Sequence, residues 1–262
     1  MDLGLKGRVA IVAAASKGLG RAVAAELARE GAQVAICARN QADLEKTAME
    51  IGQACGRGVF RMALDVTDPA AVRRFVDAVE KQFGRVDICV TNAGGPPAKK
   101  FLDISLDEWR GAVDLTLMSA VYFAREVLPR MRKNKWGRLI TITSVAVKQP
   151  IDGLLLSNSL RAAVTGLVRT LANEFGAEGI TVNNLCPGYT LTERLYELAD
   201  KMGAAEGGRD AVIARWSGEI PARRLAQPEE FAAMAAFIAS ERAAYINGST
   251  IAVDGGWVKS LL

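Results

Sequence analysis

The chain has 262 residues, of which 50% are hydrophobic, so it can bury a substantial core as one α/β domain. Its 33 basic and 29 acidic residues are interspersed, which excludes the basic stripe of a protein that follows nucleic-acid phosphates. The absence of histidine from the sequence excludes a Ser-His-Asp centre and removes the usual zinc ligand.

Short β-branched runs alternate with segments of helical spacing along the whole chain. Near-continuous apolar strands between amphipathic helices predict a parallel sheet with helices on both faces, joined by right-handed crossovers. The predicted fold class is therefore α/β, a single-domain, Rossmann-type doubly wound sheet of about seven strands over residues 1–262. The predicted strands are residues 8–14, 33–38, 58–66, 86–91, 137–143, 179–186 and 249–253, and three of the predicted helices are residues 21–31, 68–84 and 161–176.

Most candidate functional residues follow the predicted strands directly. In a doubly wound sheet the ligand crevice lies at the carboxyl ends of the strands, where the strand order reverses. After the first strand, Gly18 and Gly20 begin a helix, so backbone N–H groups and the helix dipole can face an anion. A loop that needs glycine only for its turn is the alternative. The residues at the other strand ends are Arg39, Asp65, Asn92, Ser144 and Pro187.

The motifs at these strand ends resemble those of the short-chain dehydrogenase/reductase family, over essentially the whole chain. The resemblance is carried by "AAASKGLG", "ALDVTD", "TNAGG", "CPGYTLT" and the closing "INGSTIAVDGGW". The chain is similar to a divergent member of the 3-oxoacyl-ACP reductase-like type. The resemblance implies that a pyridine dinucleotide is bound by Ala14, Ser16, Lys17, Gly18, Leu19, Gly20, Arg39, Asp65, Val66, Asn92, Ala93, Gly94, Arg161, Pro187, Gly188, Thr190 and Thr192.

Two departures from the family pattern bear on the cofactor. The family has glycine where this chain has Ala14, and a methyl group fits poorly there if the residue needs a positive φ. At the end of the second strand an NAD enzyme presents an acid to the ribose, whereas this chain has Arg39. Arg39, with Lys17, can pair with a 2′-phosphate. We therefore predict NADP(H) rather than NAD(H), against the alternative of two solvated surface cations.

Three of the family's four catalytic positions are altered. The family uses a serine, a tyrosine, a lysine four residues after the tyrosine, and an asparagine on an earlier helix. Ser144 matches the serine. The commonest family spacing puts Ser157 at the tyrosine position and Arg161 at the lysine position. Matching the earlier helix puts Thr116 at the asparagine position.

The altered residues can still support carbonyl reduction. An arginine stays protonated to a pH of roughly 12.5, so Arg161 would stabilise an oxyanion together with Ser144. Ser157 would hydrogen-bond the substrate or a water, and the proton would come from solvent or from Tyr189. The alternatives are that Ser157 or Asn158 caps the start of the helix, and that Arg161 only binds the cofactor ribose.

The sequence supports three functions, in a definite order. The first is an NADP(H)-dependent oxidoreductase that interconverts a ketone and a secondary alcohol through a non-standard centre. The second is a nucleotide-binding protein without redox turnover, acting as a sensor or partner subunit. A lyase or dehalogenase ranks last, because halohydrin dehalogenases, which resemble this family, keep the tyrosine and lose the nucleotide loop.

The segment at about residues 192–226 is predicted to be a substrate lid, since it reads as a helix, a glycine-rich break and a second helix. Tyr189 and Tyr196, with Trp216, would line an apolar substrate pocket or pack within the lid.

Assembly and location follow from resemblance and composition. The family pairs the helices that hold Thr116 and Arg161, so we expect a homotetramer or homodimer. No apolar run approaches the roughly 18 residues of a membrane span, and the N-terminus lacks a signal peptide's apolar segment. The four cysteines are far apart, which indicates neither a disulfide framework nor a metal site. We expect a soluble cytoplasmic protein without membrane or nucleic-acid partners.

Overall fold

The computed structural model describes residues 1–261, without the side chains of residues 205 and 206. Its strands form one seven-stranded parallel sheet in the order β3-β2-β1-β4-β5-β6-β7, so the chain winds outward in both directions from β1. The strands are β1 (Val9–Ala13), β2 (Gln33–Ala38), β3 (Phe60–Ala63), β4 (Ile88–Thr91), β5 (Gly137–Ile142), β6 (Ile180–Pro187) and β7 (Thr250–Val253). The α-helices are α1 (Gly18–Arg29), α2 (Gln41–Cys55), α3 (Pro69–Phe83), α4 (Leu106–Val113), α5 (Ser119–Asn134), α6 (Leu155–Phe175), α7 (Glu193–Glu206), α8 (Arg209–Glu219) and α9 (Pro228–Ala239).

The sheet is buried on both faces, which explains why its strands are apolar at successive positions. Along β1, Ala10 and Val12 pack against one face, whereas Ile11 and Ala13 pack against the other. Helices α1, α2 and α9 cover the first face, and α3, α5 and α6 cover the second. The predicted doubly wound fold is confirmed.

The edge strand β3 is shorter than the predicted strand over residues 58–66. The carboxylate of Asp65 accepts hydrogen bonds from the backbone N–H of Thr67, at 3.0 Å, and from its hydroxyl, at 2.9 Å. These bonds turn the chain toward α3, so pairing ends at Ala63. Asp65 therefore also shapes the turn after this strand.

Helix α6 begins at Leu155, earlier than the predicted start at residue 161, and this corrects one interpretation. The residue before the helix is Leu154, and it makes no side-chain cap. Ser157 lies within the first turn and is 9% exposed. Asn158 instead bonds the backbone of Ile151, at 3.3 Å to the N–H and 2.9 Å to the carbonyl. The interpretation of Ser157 or Asn158 as the N-cap is wrong.

A π-helical turn, Asp114–Met118, joins α4 to α5 without a break in the helical backbone. Thr116 lies in the middle of this turn and is buried. Such turns insert a residue into a helix and re-aim the side chains around it. The turn therefore orients Thr116 toward the interior, against α6.

The amino ends of the central strands are held by a buried ionic cluster. The carboxylate of Asp87, fully buried before β4, accepts from the backbone N–H of Val9 at 2.9 Å and from Arg85 at 2.6 Å. Nearby, two guanidinium groups lie over the ring of Trp136, with the Cζ of Arg8 3.8 Å and the Cζ of Arg138 4.2 Å from the ring centroid. These contacts anchor β1, β4 and β5 at the end of the sheet opposite the predicted crevice. Within the described part of the chain, no helix combines the length and apolarity needed to cross a membrane.

Candidate active site

The loop after β1 has the geometry of an anion-binding turn. Helix α1 begins at Gly18, which has a φ of +57°, and no side chain caps its first turn, so the N–H groups there remain free to bind a ligand. A Cβ added at Gly20 would lie 2.5 Å from the carbonyl oxygen of Ala14, so the loop and helix pack too closely for any side chain. Ser16, Lys17 and Leu19 complete the turn.

Ala14 adopts a φ of +48°, the left-handed conformation that favours glycine. Ala14 therefore has the positive φ in which a methyl group fits poorly. Hydrogen bonds from neighbouring residues hold the loop in this strained conformation. Asn92 donates to the carbonyl of Ala14 at 3.4 Å, and the hydroxyl of Thr47 donates to the carbonyl of Ser16 at 2.7 Å.

The two predicted 2′-phosphate ligands lie in different environments. The ammonium group of Lys17 is 3.1 Å from Asp43 and 3.6 Å from Glu193, and hydrogen bonding to Asp43 is the main cause of its raised pKa. Arg39 is exposed, and it forms no salt bridge within residues 1–261. Arg39 is therefore the freer of the two cations for a phosphate.

The remaining predicted cofactor residues line the carboxyl edge of the sheet. The backbone N–H of Gly188 bonds Val253 at 3.0 Å, and a Cβ on Gly188 would lie 2.8 Å from the Cα of Asp254. Thr190 pairs with Ala226 in an isolated bridge. Thr192 caps α7 and lies near Gly18. Of the others, Val66 is buried after β3, Pro187 ends β6, and Asn92, Ala93 and Gly94 follow β4.

The structure brings Arg161 and Ser157 together, one turn apart on α6. The Nε of Arg161 donates to the hydroxyl oxygen of Ser157 at 3.1 Å. Its Nη1 donates to two carbonyl oxygens at the end of β5, that of Thr143 at 2.6 Å and that of Ile142 at 3.2 Å. Ser144 follows directly, and its hydroxyl oxygen accepts from the N–H of Ala146 at 3.1 Å. The guanidinium group is therefore fixed near Ser144 by hydrogen bonds to the end of β5.

Burial, and to a smaller extent the nearby charge of Arg194, lowers the pKa of Arg161 to about 10. The group remains a cation at neutral pH. Its Nη2 makes no hydrogen bond to any residue in the described chain, so this end of the guanidinium group is free for a ligand.

A small polar cavity lies behind this centre. It has a volume of about 20 Å³ and its lining includes Thr116, Asn92, Thr143 and Arg161. The hydroxyl of Thr116 is buried without a hydrogen-bond partner among the described residues. A cavity of this size has room for one water molecule, which the polar groups in its lining could hydrogen-bond. Thr116 and Arg161 are thus joined by a site for water.

Sequence reasoning missed the buried amide of Asn184 on β6. Its side-chain oxygen accepts from the hydroxyls of Thr143, at 2.7 Å, and Thr141, at 2.9 Å. Its amide nitrogen donates to Thr165 at 3.2 Å, and Thr165 bonds the backbone of Arg161. Asn184 therefore fixes β5 against α6. The signal was available, since a polar pair within the apolar run "GITVNNLC" needs buried partners.

The aromatic residues proposed for the substrate pocket form a separate cluster. The ring of Tyr189 lies 4.7 Å from that of Trp216 and 4.8 Å from that of Trp257. Trp216 is 2% exposed, which supports the packing alternative for this residue. Burial raises the pKa of Tyr189 to about 12, which counts against its role as a proton source. Tyr196 lies under the guanidinium group of Arg209 on the same pair of helices.

Comparison with known proteins supplies the family. The family model described as enoyl-(acyl carrier protein) reductase matches residues 13–258. The chain belongs to the short-chain dehydrogenase/reductase family. This short-chain dehydrogenase/reductase is 34% identical to the 3-oxoacyl-[acyl-carrier-protein] reductase FabG of Escherichia coli, over 97% of this chain and 98% of the relative. It is 36% identical to FabG of Pseudomonas aeruginosa, over 98% of this chain and 100% of the relative.

A solved structure agrees along the full length of this family member. The L-sorbose reductase of Gluconobacter frateurii, crystallised with NADPH and L-sorbose, superposes with a TM-score of 0.96 at 34% identity and 100% coverage of both chains. The predicted family is confirmed, and its relatives are oxidoreductases.

Proposed function

We propose that the protein is an NADP(H)-dependent oxidoreductase that interconverts a ketone and a secondary alcohol. The observation that carries the proposal is the juxtaposition of Ser144, Ser157 and the fixed cation Arg161 at the end of β5. The relatives support the reaction class, since they carry the names of reductases.

The residues after β1 fit a dinucleotide. The uncapped start of α1 suits a pyrophosphate, and glycine at position 20 lets α1 begin directly against the loop at Ala14. Arg39 would bind the 2′-phosphate, and the NADPH in the sorbose reductase crystal is consistent with this preference. When bound, the nicotinamide supplies or accepts the hydride.

Ser144 and Ser157 would bind the substrate oxygen. Each hydroxyl oxygen accepts one hydrogen bond, and neither donates its proton to another group among residues 1–261. Both protons are thus free for the carbonyl oxygen. Because Ser157 accepts from the Arg161 cation, the positive charge polarises the bond that this serine donates. Preorganised donors of this kind stabilise an oxyanion by about 3 kcal/mol each.

Water would supply the proton. Arginine remains protonated near neutral pH and is a poor proton donor, and Tyr189 is held in the aromatic cluster. The cavity lined by Thr116 and Arg161 has room for one water beside the guanidinium group. Ser157, which accepts from Arg161, would relay a proton from solvent to the product oxygen.

A nucleotide-binding protein without turnover is the second candidate, and one observation favours it. Two donors of Arg161 bond groups of the protein itself, so the residue would serve the fold even without catalysis. The dehalogenase alternative keeps its last place, because the loop around Gly18 retains its anion-binding geometry.

The covering segment and the assembly are part of the same proposal. Helices α7 and α8, separated by Gly207 and Gly208, would form a lid over the substrate. The exposed apolar side chains of Phe101, Leu102 and Leu106, before and at the start of α4, support a homotetramer or homodimer. Sedimentation of the purified protein as a monomer would refute the assembly.

The deciding experiment combines binding and turnover. NADPH and NADH are titrated separately, and NADPH oxidation is then followed with a panel of ketones. The variant Ser157→Tyr with Arg161→Lys is compared with each single variant. Loss of activity from an active parent supports the altered centre. Activity gained only in the double variant supports the non-catalytic candidate, and absence of NADPH binding refutes both.

A further inference from the structure

A second guanidinium group faces the candidate active site from the lid. Arg194 lies in the first turn of α7, and its Nη2 donates to the carbonyl oxygen of Gly95 at 3.4 Å. Gly95 belongs to the loop after β4, so this side chain spans from the lid to the carboxyl edge of the sheet. The charge of Arg194 also lowers the pKa of Arg161, which indicates that the two cations are close.

A third cation, Lys148, lies four residues after Ser144 in the sequence. Lys148 ends the short 3₁₀ helix Val145–Val147 that Ser144 caps, and it is half-buried. Its charge partly offsets the rise in pKa that burial gives to the thiol of Cys186, at the end of β6. Contacts of Arg161 with Thr143 and of Arg194 with Gly95, with Lys148 shortly after Ser144, therefore put three cationic residues at this end of the sheet.

None of these three cations is neutralised by the protein. Within residues 1–261, no carboxylate forms a salt bridge with Arg161, Arg194 or Lys148. Other arginines of the same region are paired, such as Arg209 with Asp200 on the lid, 2.5 Å apart. Unpaired like charges around a crevice repel one another and attract an anionic ligand. The dinucleotide's pyrophosphate has its own site at the start of α1, where Lys17 adds a separate charge.

We propose, on the basis of the function proposed above, that the ketone substrate carries a carboxylate and that Arg194 binds it. The substrate class is an oxo acid, with the corresponding hydroxy acid as its reduced form. The fork of a guanidinium group matches the two oxygens of a carboxylate. Arg194 is exposed and has one long hydrogen bond, so its donors are free to turn toward a ligand. Lys148, after the turn that Ser144 caps, adds to the positive charge at this edge.

The test uses matched pairs of substrates with the full-length protein. Straight-chain oxo acids that differ in the spacing between ketone and carboxylate are each compared with their methyl esters. We expect the best acid to exceed its ester in kcat/KM by about tenfold or more, as a hydrogen-bonded ion pair provides. Arg194→Gln should abolish this preference and leave turnover of the ester within about twofold. Lys201→Gln, an exposed position on the same helix, should keep the preference.

Binding measurements keep the proposal testable without turnover. Calorimetry compares hexanoate with hexanamide on the NADPH complex of the parent and of Arg194→Gln. Tighter binding of hexanoate to the parent, lost in the variant, supports the proposal even if no ketone is reduced. Equal binding of the acid and the amide overturns the proposal, as does a preference for the esters. If neutral ketones are nevertheless reduced, the proposed oxidoreductase function still stands. A fall in NADPH affinity with an unchanged acid-to-ester ratio also overturns the substrate proposal, since Arg194 would then serve the cofactor.

Discussion

Arg161 donates a hydrogen bond of 2.6 Å to the carbonyl oxygen of Thr143, the residue immediately before Ser144. The same guanidinium group bonds Ser157. One side chain therefore fixes the end of β5 and polarises a hydroxyl at the substrate site. Its removal should affect stability and chemistry together, but to different extents.

Arg161→Met should lower the free energy of unfolding by about 2 kcal/mol, because buried carbonyl groups lose a charged donor. It should lower kcat by about 100-fold to 1,000-fold through loss of oxyanion stabilisation. Denaturant unfolding and steady-state kinetics measure the two effects. Arg169→Met, two turns further along α6 and exposed, is the control and should change neither. An unchanged kcat in a folded Arg161→Met protein would rule out the charged centre.

Activity should depend on pH through the charge of Arg161. In the folded protein its pKa is about 10, so the cation is fully present at neutral pH and is lost as pH rises through that value. The single-turnover rate of ketone reduction should therefore be level near neutrality and fall as pH approaches 10. Arg194→Gln removes a neighbouring positive charge, so the fall should move to higher pH. A fall centred near neutral pH would show that another group controls the rate.

Ala14→Gly should relieve the strain at a φ of +48°. The left-handed conformation costs alanine about 1 kcal/mol, and the greater freedom of glycine in the unfolded chain offsets part of the gain. We expect a small net increase in stability, below about 1 kcal/mol, and tighter NADPH binding. Ala42→Gly, in the first turn of α2, should instead destabilise, by up to about 1 kcal/mol. Equal losses from both substitutions would show that Ala14 is unstrained.

Gly20→Ala should abolish NADPH binding. The added Cβ would lie 2.5 Å from the carbonyl oxygen of Ala14, so either the loop or α1 must move. Overpacking of this kind destabilises by about 1–3 kcal/mol. Gly166→Ala is the matched control, because no atom lies within 4 Å of its added Cβ, and it should stabilise α6 by about 0.5–1 kcal/mol. Fluorescence titration and thermal unfolding of both variants distinguish the two sites.

Arg39→Ala should weaken NADPH binding by about tenfold or more and leave NADH binding nearly unchanged, since only NADPH offers a 2′-phosphate. Titration of both dinucleotides measures the ratio. Lys46→Ala removes an equal charge from the exposed face of α2 and controls for long-range attraction. If NADH and NADPH lose affinity equally, Arg39 does not select between them.

The sheet was predictable because its strands are buried on both faces, so that each strand is a continuous apolar run in the sequence. The ends of these runs predicted the carboxyl ends of most strands, and therefore that Gly18 and Ser144 lie on the same edge of the sheet. The edge strand β3 was overestimated because the signal for its end is a turn made by the Asp65 side chain. Local pattern alone does not reveal that the Asp65 carboxylate will accept from Thr67 and form this turn.

The contacts of the candidate centre were not predictable from spacing. The bonds from Arg161 to Ile142 and Thr143 depend on how α6 packs across β5, which only the three-dimensional fold determines. The same holds for Arg194, whose neighbour Gly95 is 99 positions away in the sequence. The orphaned hydroxyl of Thr116 depends on a π-helical turn that residue periodicity does not indicate.

The ionic cluster around Asp87 and the ring of Trp136 sit at the amino ends of the strands, whereas all the proposed chemistry takes place at the carboxyl ends. Residues that secure the scaffold are thus spatially separate from most of those that would meet a substrate. Substitution of Ser157, Arg194 or Lys148 should leave the contacts at the amino ends of the strands unchanged. The molecule is accordingly well suited to redesign, since new specificities can be tried at one rim while the other preserves the architecture.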